Sequence, residues 1–309
     1  MKMSAQHVTT YLYSEPVSIC HTEVHLSPRN VPGQKLLSFE LEIRPEPDFL
    51  HSRTDYFGNS TTYFAIHEPH QTLTVEAMSE LEIEIEEPPC PELTPAWESV
   101  RDHVRDAVDA ECFLASEFLY RSPLIAHGCG TAAGASRDFA EYARGSFGKD
   151  RPVQEAAFDL CRRIFKDFKY DPRATTISTP VAEVLKLRAG VCQDFAHVMI
   201  ACLRSIGLPA RYVSGYLKSG ENTRGAEASH AWCSVFCPGF GWLDFDPTND
   251  TIPHGEHVTL AFGRDYSDVT PVKGVALGGG EQIINVSVGV GEPGKARRSP
   301  LPRPSADLS

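Results

Sequence analysis

The chain has 309 residues, 41% of them hydrophobic and 23% charged, enough to bury a sizeable core in one or two domains. Its net charge of -12 argues against a nucleic-acid or anionic-membrane partner, since both need a basic surface. No apolar run approaches the roughly 20 residues of a membrane span, and the start Met1-Lys2-Met3-Ser4-Ala5-Gln6-His7 lacks the apolar stretch of a secretory signal. Nine irregularly spaced cysteines suit a reducing compartment, so a cytoplasmic protein without a disulfide framework is expected.

Over the first 87 residues apolar side chains recur with period two, the signature of strands with one buried face. Phe39, Leu41 and Ile43 alternate with Glu40, Glu42 and Arg44, and Leu73, Val75, Ala77, Leu81, Ile83 and Ile85 alternate with Glu76, Glu82, Glu84 and Glu86. Ser27-Pro28-Arg29-Asn30, Pro45-Glu46-Pro47 and Phe57-Gly58-Asn59 supply the turns. Residues 1–90 therefore read as an antiparallel β-sandwich, closed by a linker at Pro88-Pro89-Cys90-Pro91.

Residues 91–275 read as an α+β domain with helices first and strands second. Thr94-Pro95 caps a helix carrying Trp97, Val100, Val104 and Val108, and Ser136 precedes Phe139, Tyr142 and Ala143. A longer helix is predicted over 152–168, a short one from Thr179-Pro180 to about 188, and another from about 192 to 206. The last has Phe195, Met199, Cys202, Leu203 and Ile206 as its apolar stripe and ends at Gly207 and Pro209. Period two then returns over 211–217, 231–236 and 242–245. Gly278-Gly279-Gly280 reads as a hinge and 283–290 as a final strand, within a segment 276–290. The Pro-, Arg- and Ser-rich remainder, 291–309, reads as a disordered tail.

Within this frame, Gly190-Val191-Cys192-Gln193-Asp194 sits where a loop becomes a helix. Unpaired backbone N–H groups at a helix start favour a thiolate over a thiol, and the same groups can hold an oxyanion. Gly190 leaves room for a substrate backbone, and Asp194 is more economically a cap on the helix start than a group that touches substrate. A thiolate nucleophile also needs a base and a group to orient that base. Ser229-His230-Ala231-Trp232 and Phe245-Asp246-Pro247-Thr248 can supply both, across a hairpin turning at Pro238-Gly239-Phe240-Gly241. Centred on Pro238, that hairpin sets residue 230 opposite residue 246, within side-chain reach. Cys192, His230 and Asp246 are therefore the predicted catalytic residues. Tyr170 is a candidate oxyanion donor, and Trp232 a candidate shield on the imidazole; ordinary packing is the competing account of each.

Other histidines are weaker candidates. His197, on the Cys192 helix, is more economically a packing residue than a base. His21, Glu23 and His25 would share a solvated strand face, and His254 and His257 a loop after the strands; neither set has the His-Glu-x-x-His zinc pattern. No metal and no cofactor is expected.

The blocks Gly190-Val191-Cys192-Gln193-Asp194-Phe195-Ala196-His197, Gly207-Leu208-Pro209-Ala210-Arg211-Tyr212-Val213-Ser214-Gly215-Tyr216, Ser229-His230-Ala231-Trp232 and Phe245-Asp246-Pro247-Thr248-Asn249 resemble, in order and spacing, the bacterial transglutaminase-like proteins. Tyr13-Ser14-Glu15-Pro16-Val17 and Asp55-Tyr56-Phe57-Gly58-Asn59 resemble the region preceding the core in that family, and Gly263-Arg264-Asp265-Tyr266-Ser267-Asp268-Val269-Thr270-Pro271 a stretch that follows it. The resemblance implies a cysteine-protease-like core, a Cys-His-Asp triad on Cys192, His230 and Asp246, and a thioester intermediate on a peptide or protein amide substrate. It leaves open hydrolysis, transfer to an amine as in transglutaminases, and a non-catalytic interaction role. Hydrolysis is favoured because nothing in the sequence marks a dedicated amine-acceptor site.

Overall fold

The computed structural model describes residues 1–85, 87–126, 137–218, 223–225 and 228–293; Glu86, Ser136 and the tail from residue 294 onward lie outside them. The N-terminal part is built from β1 (Lys2–Val24), β2 (Gln34–Arg44), β3 (Phe49–Thr54), β4 (Ser60–Ile66) and β5 (His70–Ile83), in the sheet order β2-β5-β1-β4-β3. One strand, β1, runs through the whole sheet. Residues 2–12 of it pair with β5 and residues 20–24 with β4, and the register slips between Leu12 and Val17. Pro16 lies in that slip and has no N–H to give to a ladder, so the strand bends and changes partners there. The two layers expected of a sandwich are thus two leaves of one antiparallel half-barrel. Ile43, Leu73 and Val75 from one leaf meet Val17, Cys20, Val24, Phe64 and Ile66 from the other in a shared apolar core.

The helices follow: α1 (Trp97–Arg105), α2 (Ala110–Ala115), α3 (Arg137–Arg144), α4 (Val153–Asp167), α5 (Val181–Leu187) and α6 (Cys192–Ser205). α1 stops short of Val108 because Ala107 takes a positive φ of 46°. No helix among the described residues is long and apolar enough to cross a membrane. α6 is the central element. Residues 194–204 are buried on every side of it, not along one stripe. That burial extends to Arg204, whose guanidinium donates to the carbonyls of Ala210 (2.8 and 3.1 Å), Tyr120 (3.0 Å) and Arg264 (2.7 Å). A charge that deep is tolerable only when its donors are satisfied, and here they tie the end of α6 to the strand beyond it.

Short β6 (Lys169–Tyr170) and β7 (Ala189–Gly190) pair in parallel, while β8 (Ala210–Leu217), β9 (His230–Cys237), β10 (Gly241–Phe245) and β11 (His257–Gly263) make a second sheet in the order β10-β9-β8-β11. β11 is its edge, and two side-chain amides from the half-barrel close that edge. Gln34 donates to the Thr259 carbonyl and accepts from the Thr259 N–H, both at 2.8 Å. Asn59 does the same to Phe262, at 2.8 and 2.9 Å. Unpaired strand groups are thereby satisfied by side chains that mimic a neighbouring strand. Apolar side chains of Met3, Ala5, Leu81 and Ile83 pack into the same core as α6. Finally β12 (Val272–Gly278) and β13 (Gln282–Gly291) return to pair with the second and first halves of β1. Gly278, Gly279 and Gly280 make the connection at positive φ, a conformation glycine adopts without steric penalty.

Candidate active site

Cys192 is the first residue of α6, and its approach is set by β6 and β7. Tyr170 pairs with Gly190, and the Asp171 N–H reaches the Gly190 carbonyl at 2.9 Å. The helix start is fastened by Asp194, whose carboxylate accepts from the Val191 N–H at 2.9 Å and the Thr175 hydroxyl at 2.6 Å. This is one half of a capping box, the valine having no side-chain acceptor to complete it. A Cβ at Gly190 would overlap the Asp194 carboxylate. The glycine therefore makes room for the cap, not for substrate as its flanking position suggested.

His230 opens β9, and its Nε2 lies 2.8 Å from Asp246 Oδ2, with both side chains fully enclosed. Nδ1 is then the nitrogen turned toward Cys192, and it has no hydrogen-bond partner among the described residues. The hairpin register differs from the expected one. Phe245 pairs with Cys233, so residue 246 falls opposite residue 232 and diagonal to 230. The slip is by two residues, and an even slip keeps side chains on the same face. That is why Asp246 still reaches His230.

Asp246 is held from several directions. Its Oδ1 accepts from the Thr248 N–H at 2.9 Å, and its Oδ2 accepts from Asn249 Nδ2 at 2.9 Å and His257 Nε2 at 3.2 Å. Burial opposes ionisation of this carboxyl, but the charges and hydrogen bonds of His230 and His257 outweigh it and hold the group below the usual carboxylate range. Burial likewise disfavours the His230 imidazolium. Asp246 first, and then Cys192, overcome that and push its pKa up to about 10.

The cleft in front of these groups measures 540 Å³ and is lined by Cys192, Gln193, Tyr170, Tyr212, His230 and Tyr266 among others. Tyr170 therefore stands in the cleft. A Cβ on Gly225 would lie 3.5 Å from its hydroxyl and 3.0 Å from His230 Nδ1, so glycine at this position lets the backbone approach the imidazole. Trp232 is fully buried behind the imidazole, 6.1 Å from it between ring centres, with Nε1 donating to Asp244 at 3.0 Å. Its ring occupies the space over Gly215, where a Cβ would overlap it.

His197 is not brought to the cysteine. Its Nε2 accepts from the Tyr266 N–H at 3.2 Å, and burial pushes its pKa down to about 4, the neutral form that acceptance requires. His25, expected on a solvated face, is buried beyond the end of β1 and approaches Asp55 at 3.7 Å. His257, expected in a loop, begins β11 and joins the Asp246 cluster; the signal available was its place directly before the continuous apolar-rich run Val258-Thr259-Leu260-Ala261-Phe262. His230, Asp246 and His257 offer three ligand atoms within 4.8 Å of one another, a set able to hold a divalent ion. Their separations of 2.8 and 3.2 Å are those of direct hydrogen bonds.

Residues 3–82 match the bacterial transglutaminase-like N-terminal region and residues 140–247 the transglutaminase-like superfamily core. An uncharacterised protein of Mycobacterium tuberculosis is 40% identical over 302 residues, covering 92% of this chain and 90% of its own. The chain belongs to the transglutaminase-like superfamily. Within it, a Mycobacterium leprae protein is 31% identical over 93% of this chain and 97% of its own length. A protein-glutamine gamma-glutamyltransferase of Pseudomonas aeruginosa is 31% identical over 37% of this chain, a stretch that is 20% of that enzyme. The fold is that of a proposed cysteine protease from Cytophaga hutchinsonii, with a TM-score of 0.71, 22% identity, and coverage of 94% of this chain and 90% of that one.

Proposed function

We propose that this superfamily member is a cysteine-nucleophile hydrolase of peptide or side-chain amide bonds. The observation that carries the reading is the arrangement at the cleft: a cysteine at a helix start, an imidazole that lines the same cleft, and a buried carboxylate 2.8 Å from Nε2 of that ring. In this mechanism the Cys192 thiolate attacks the amide carbon, and the carbonyl electron pair moves onto oxygen. The oxyanion is met by N–H groups of the first turn of α6, which have no intrahelical acceptor, and by the Tyr170 hydroxyl. His230, as imidazolium, gives its Nδ1 proton to the departing amine as the tetrahedral intermediate collapses to a thioester. Neutral His230 then takes a proton from water, which attacks the thioester and releases acid and thiolate. Asp246 keeps Nε2 protonated and the ring in orientation throughout. Trp232 closes off the rear of the imidazole.

A cytoplasmic setting belongs to the same reading, supported by the seven buried free thiols among the eight described cysteines. Amine transfer is the second reading, favoured by the similarity to the Pseudomonas gamma-glutamyltransferase over part of the core. Intact-protein mass spectrometry after mixing with a peptide-amide library, with and without a small primary amine, separates the two. An acyl adduct on Cys192 that resolves to free acid in both samples supports hydrolysis; an amine-capped product moves the assignment to transfer. No adduct in either sample, with Cys192→Ala indistinguishable from the native protein, would favour a non-catalytic interaction role.

A further inference from the structure

The chain carries 41 acidic side chains against 29 Lys and Arg, yet one pocket beside the Cys192 cleft inverts that balance. It measures 560 Å³ and is lined by Lys166, Lys169, Arg188 and Arg224, with Asp167 as the one carboxylate on its walls among the described residues. Tyr170 lines both this pocket and the cleft, and Arg224 adjoins Gly225, which also lines the cleft. The two spaces are therefore neighbours.

Two of the four cations are held by aromatic rings. The Arg188 guanidinium carbon lies 4.3 Å from the Tyr142 ring centre and 4.9 Å from that of Phe168, and the Arg224 guanidinium carbon lies 4.9 Å from that of Phe165. The Arg224 backbone is fastened as well. Its N–H donates to Asn249 Oδ1 at 2.9 Å, and its carbonyl accepts from Asn249 Nδ2 at 3.3 Å. Asn249 also holds Asp246, so Arg224 is tied to the triad. With a Cβ on Gly225 falling 3.0 Å from His230 Nδ1 and consecutive Cα atoms about 3.8 Å apart, the Arg224 Cα lies within about 8 Å of that nitrogen. Of the four cations, Lys169 alone has an ion-pair partner among the described residues, Asp171 at 3.5 Å. Asp167 is engaged by the Tyr142 hydroxyl at 2.8 Å. Like charges lining one pocket repel, and an anion that enters removes that cost.

We propose that this pocket takes carboxylate side chains of the substrate, so that the amide brought to Cys192 belongs to an acidic peptide. An extended chain advances about 3.3 Å per residue, so carboxylates two or three residues from that amide reach the pocket. The arginines offer planar N–H edges that match a carboxylate, and the lysines add point charges. This substrate class rests on the cysteine-nucleophile reading above.

The probes are chloroacetyl-Ala-Glu-Glu-Ala-amide and its uncharged counterpart chloroacetyl-Ala-Gln-Gln-Ala-amide, which alkylate a thiolate by the same displacement of chloride. The same pair made as C-terminal chloromethyl ketones presents the peptide in the opposite direction, and the larger acid-to-neutral ratio is taken. Peptide-level mass spectrometry on the full chain follows Cys192 and the exposed Cys90 in one sample. A protein of net charge -12 repels an acidic probe, so at Cys90 that probe should be the slower. At Cys192 the order should reverse, with the acidic probe about fivefold faster at low salt, the gain of two exposed ion pairs. The advantage should vanish at about 1 M salt, where the Debye length is about 3 Å. Arg224→Glu, a change at an exposed side chain, should bring the ratio at Cys192 below one. The native comparison decides the matter even if that variant does not fold. A ratio at Cys192 no greater than that at Cys90, or one that salt does not move, would overturn the pocket. A Cys192 that reacts with the neutral probes no faster than glutathione refutes the catalytic reading instead, while the acid-to-neutral ratio still judges the pocket.

Discussion

Replacing Asp246 by asparagine keeps the shape of the site and removes the charge that holds the His230 imidazolium. The pKa of His230 rises from 6.5 to about 10 despite full burial; at about 1.36 kcal/mol per pKa unit that is roughly 5 kcal/mol of interaction with the charged ring. Part belongs to Cys192, so the clean comparison is Asp246→Asn in a Cys192→Ala background, where the carboxylate acts alone. Breaking a buried charge pair typically costs about 3–5 kcal/mol, and that is the expected loss in urea unfolding at pH 6. Because the folded pKa of His230 is raised, its stabilisation is fully present below about 6.5 and disappears as pH rises through about 10. Because that of Asp246 is depressed, its contribution is present above the ordinary 3.8 and lost as pH falls below it. The gap between the two proteins should therefore be widest from about pH 4 to 6.5 and shrink toward pH 10. Labelled-imidazole NMR should show the His230 titration moving to or below its ordinary range. A His230 that still titrates near 10, or two unfolding curves that coincide at pH 6, would refute the electrostatic account of the site.

His257→Gln retains a donor toward Asp246 and should keep most of the Cys192 alkylation rate, whereas His257→Ala should lower it by tenfold or more; equal loss in both would mean that the ring acts only by packing. Gly215→Ala forces a methyl into the Trp232 ring and the Val258 carbonyl, an overpacking expected to cost about 1–3 kcal/mol in thermal unfolding and to change tryptophan fluorescence. Asp194→Ala removes the acceptor for the Val191 N–H and the Thr175 hydroxyl; a loss of about 1–3 kcal/mol in urea is expected, with slower labelling of Cys192 as the first turn of α6 loosens. Arg204→Met strands three carbonyls in the core and should destabilise by about 3–5 kcal/mol; a stability within 1 kcal/mol of native would show that α6 does not depend on that anchor.

The sequence carried the element types well, because periodicity records which face of each element is buried. It could not carry long-range register. Along β1 only the proline at position 16 hints that the strand changes partners, and nothing local says that β12 and β13 complete the sheet it began. α6 shows a related limit. A helix buried on all sides needs no clean stripe, and Arg204 looks like a solvent-facing residue until the carbonyls of Tyr120, Ala210 and Arg264 converge on it from three distant segments.

At the candidate site, the residues bearing ordinary chemical signals were legible: a cysteine between glycine and a helix, and a histidine and an aspartate at the ends of facing strands. What escaped was their support. Asp194 was legible as a cap on the helix start, but not its demand on Gly190, which is required by that carboxylate four positions away. His257 escaped because its role is defined by an atom 11 residues earlier in the chain, across a turn that sequence alone does not fold. The same turn explains why an incorrect register still gave the correct pair. Parity along a strand fixes the face, Asn249 and Thr248 pin the carboxylate after the strand has ended, and the geometry needed at His230 survives a shift of two. A one-residue insertion between 238 and 241 would test this reasoning, since it shifts the register by an odd number. Asp246 would then leave the imidazole, and labelling of Cys192 should fall to the level of Asp246→Asn.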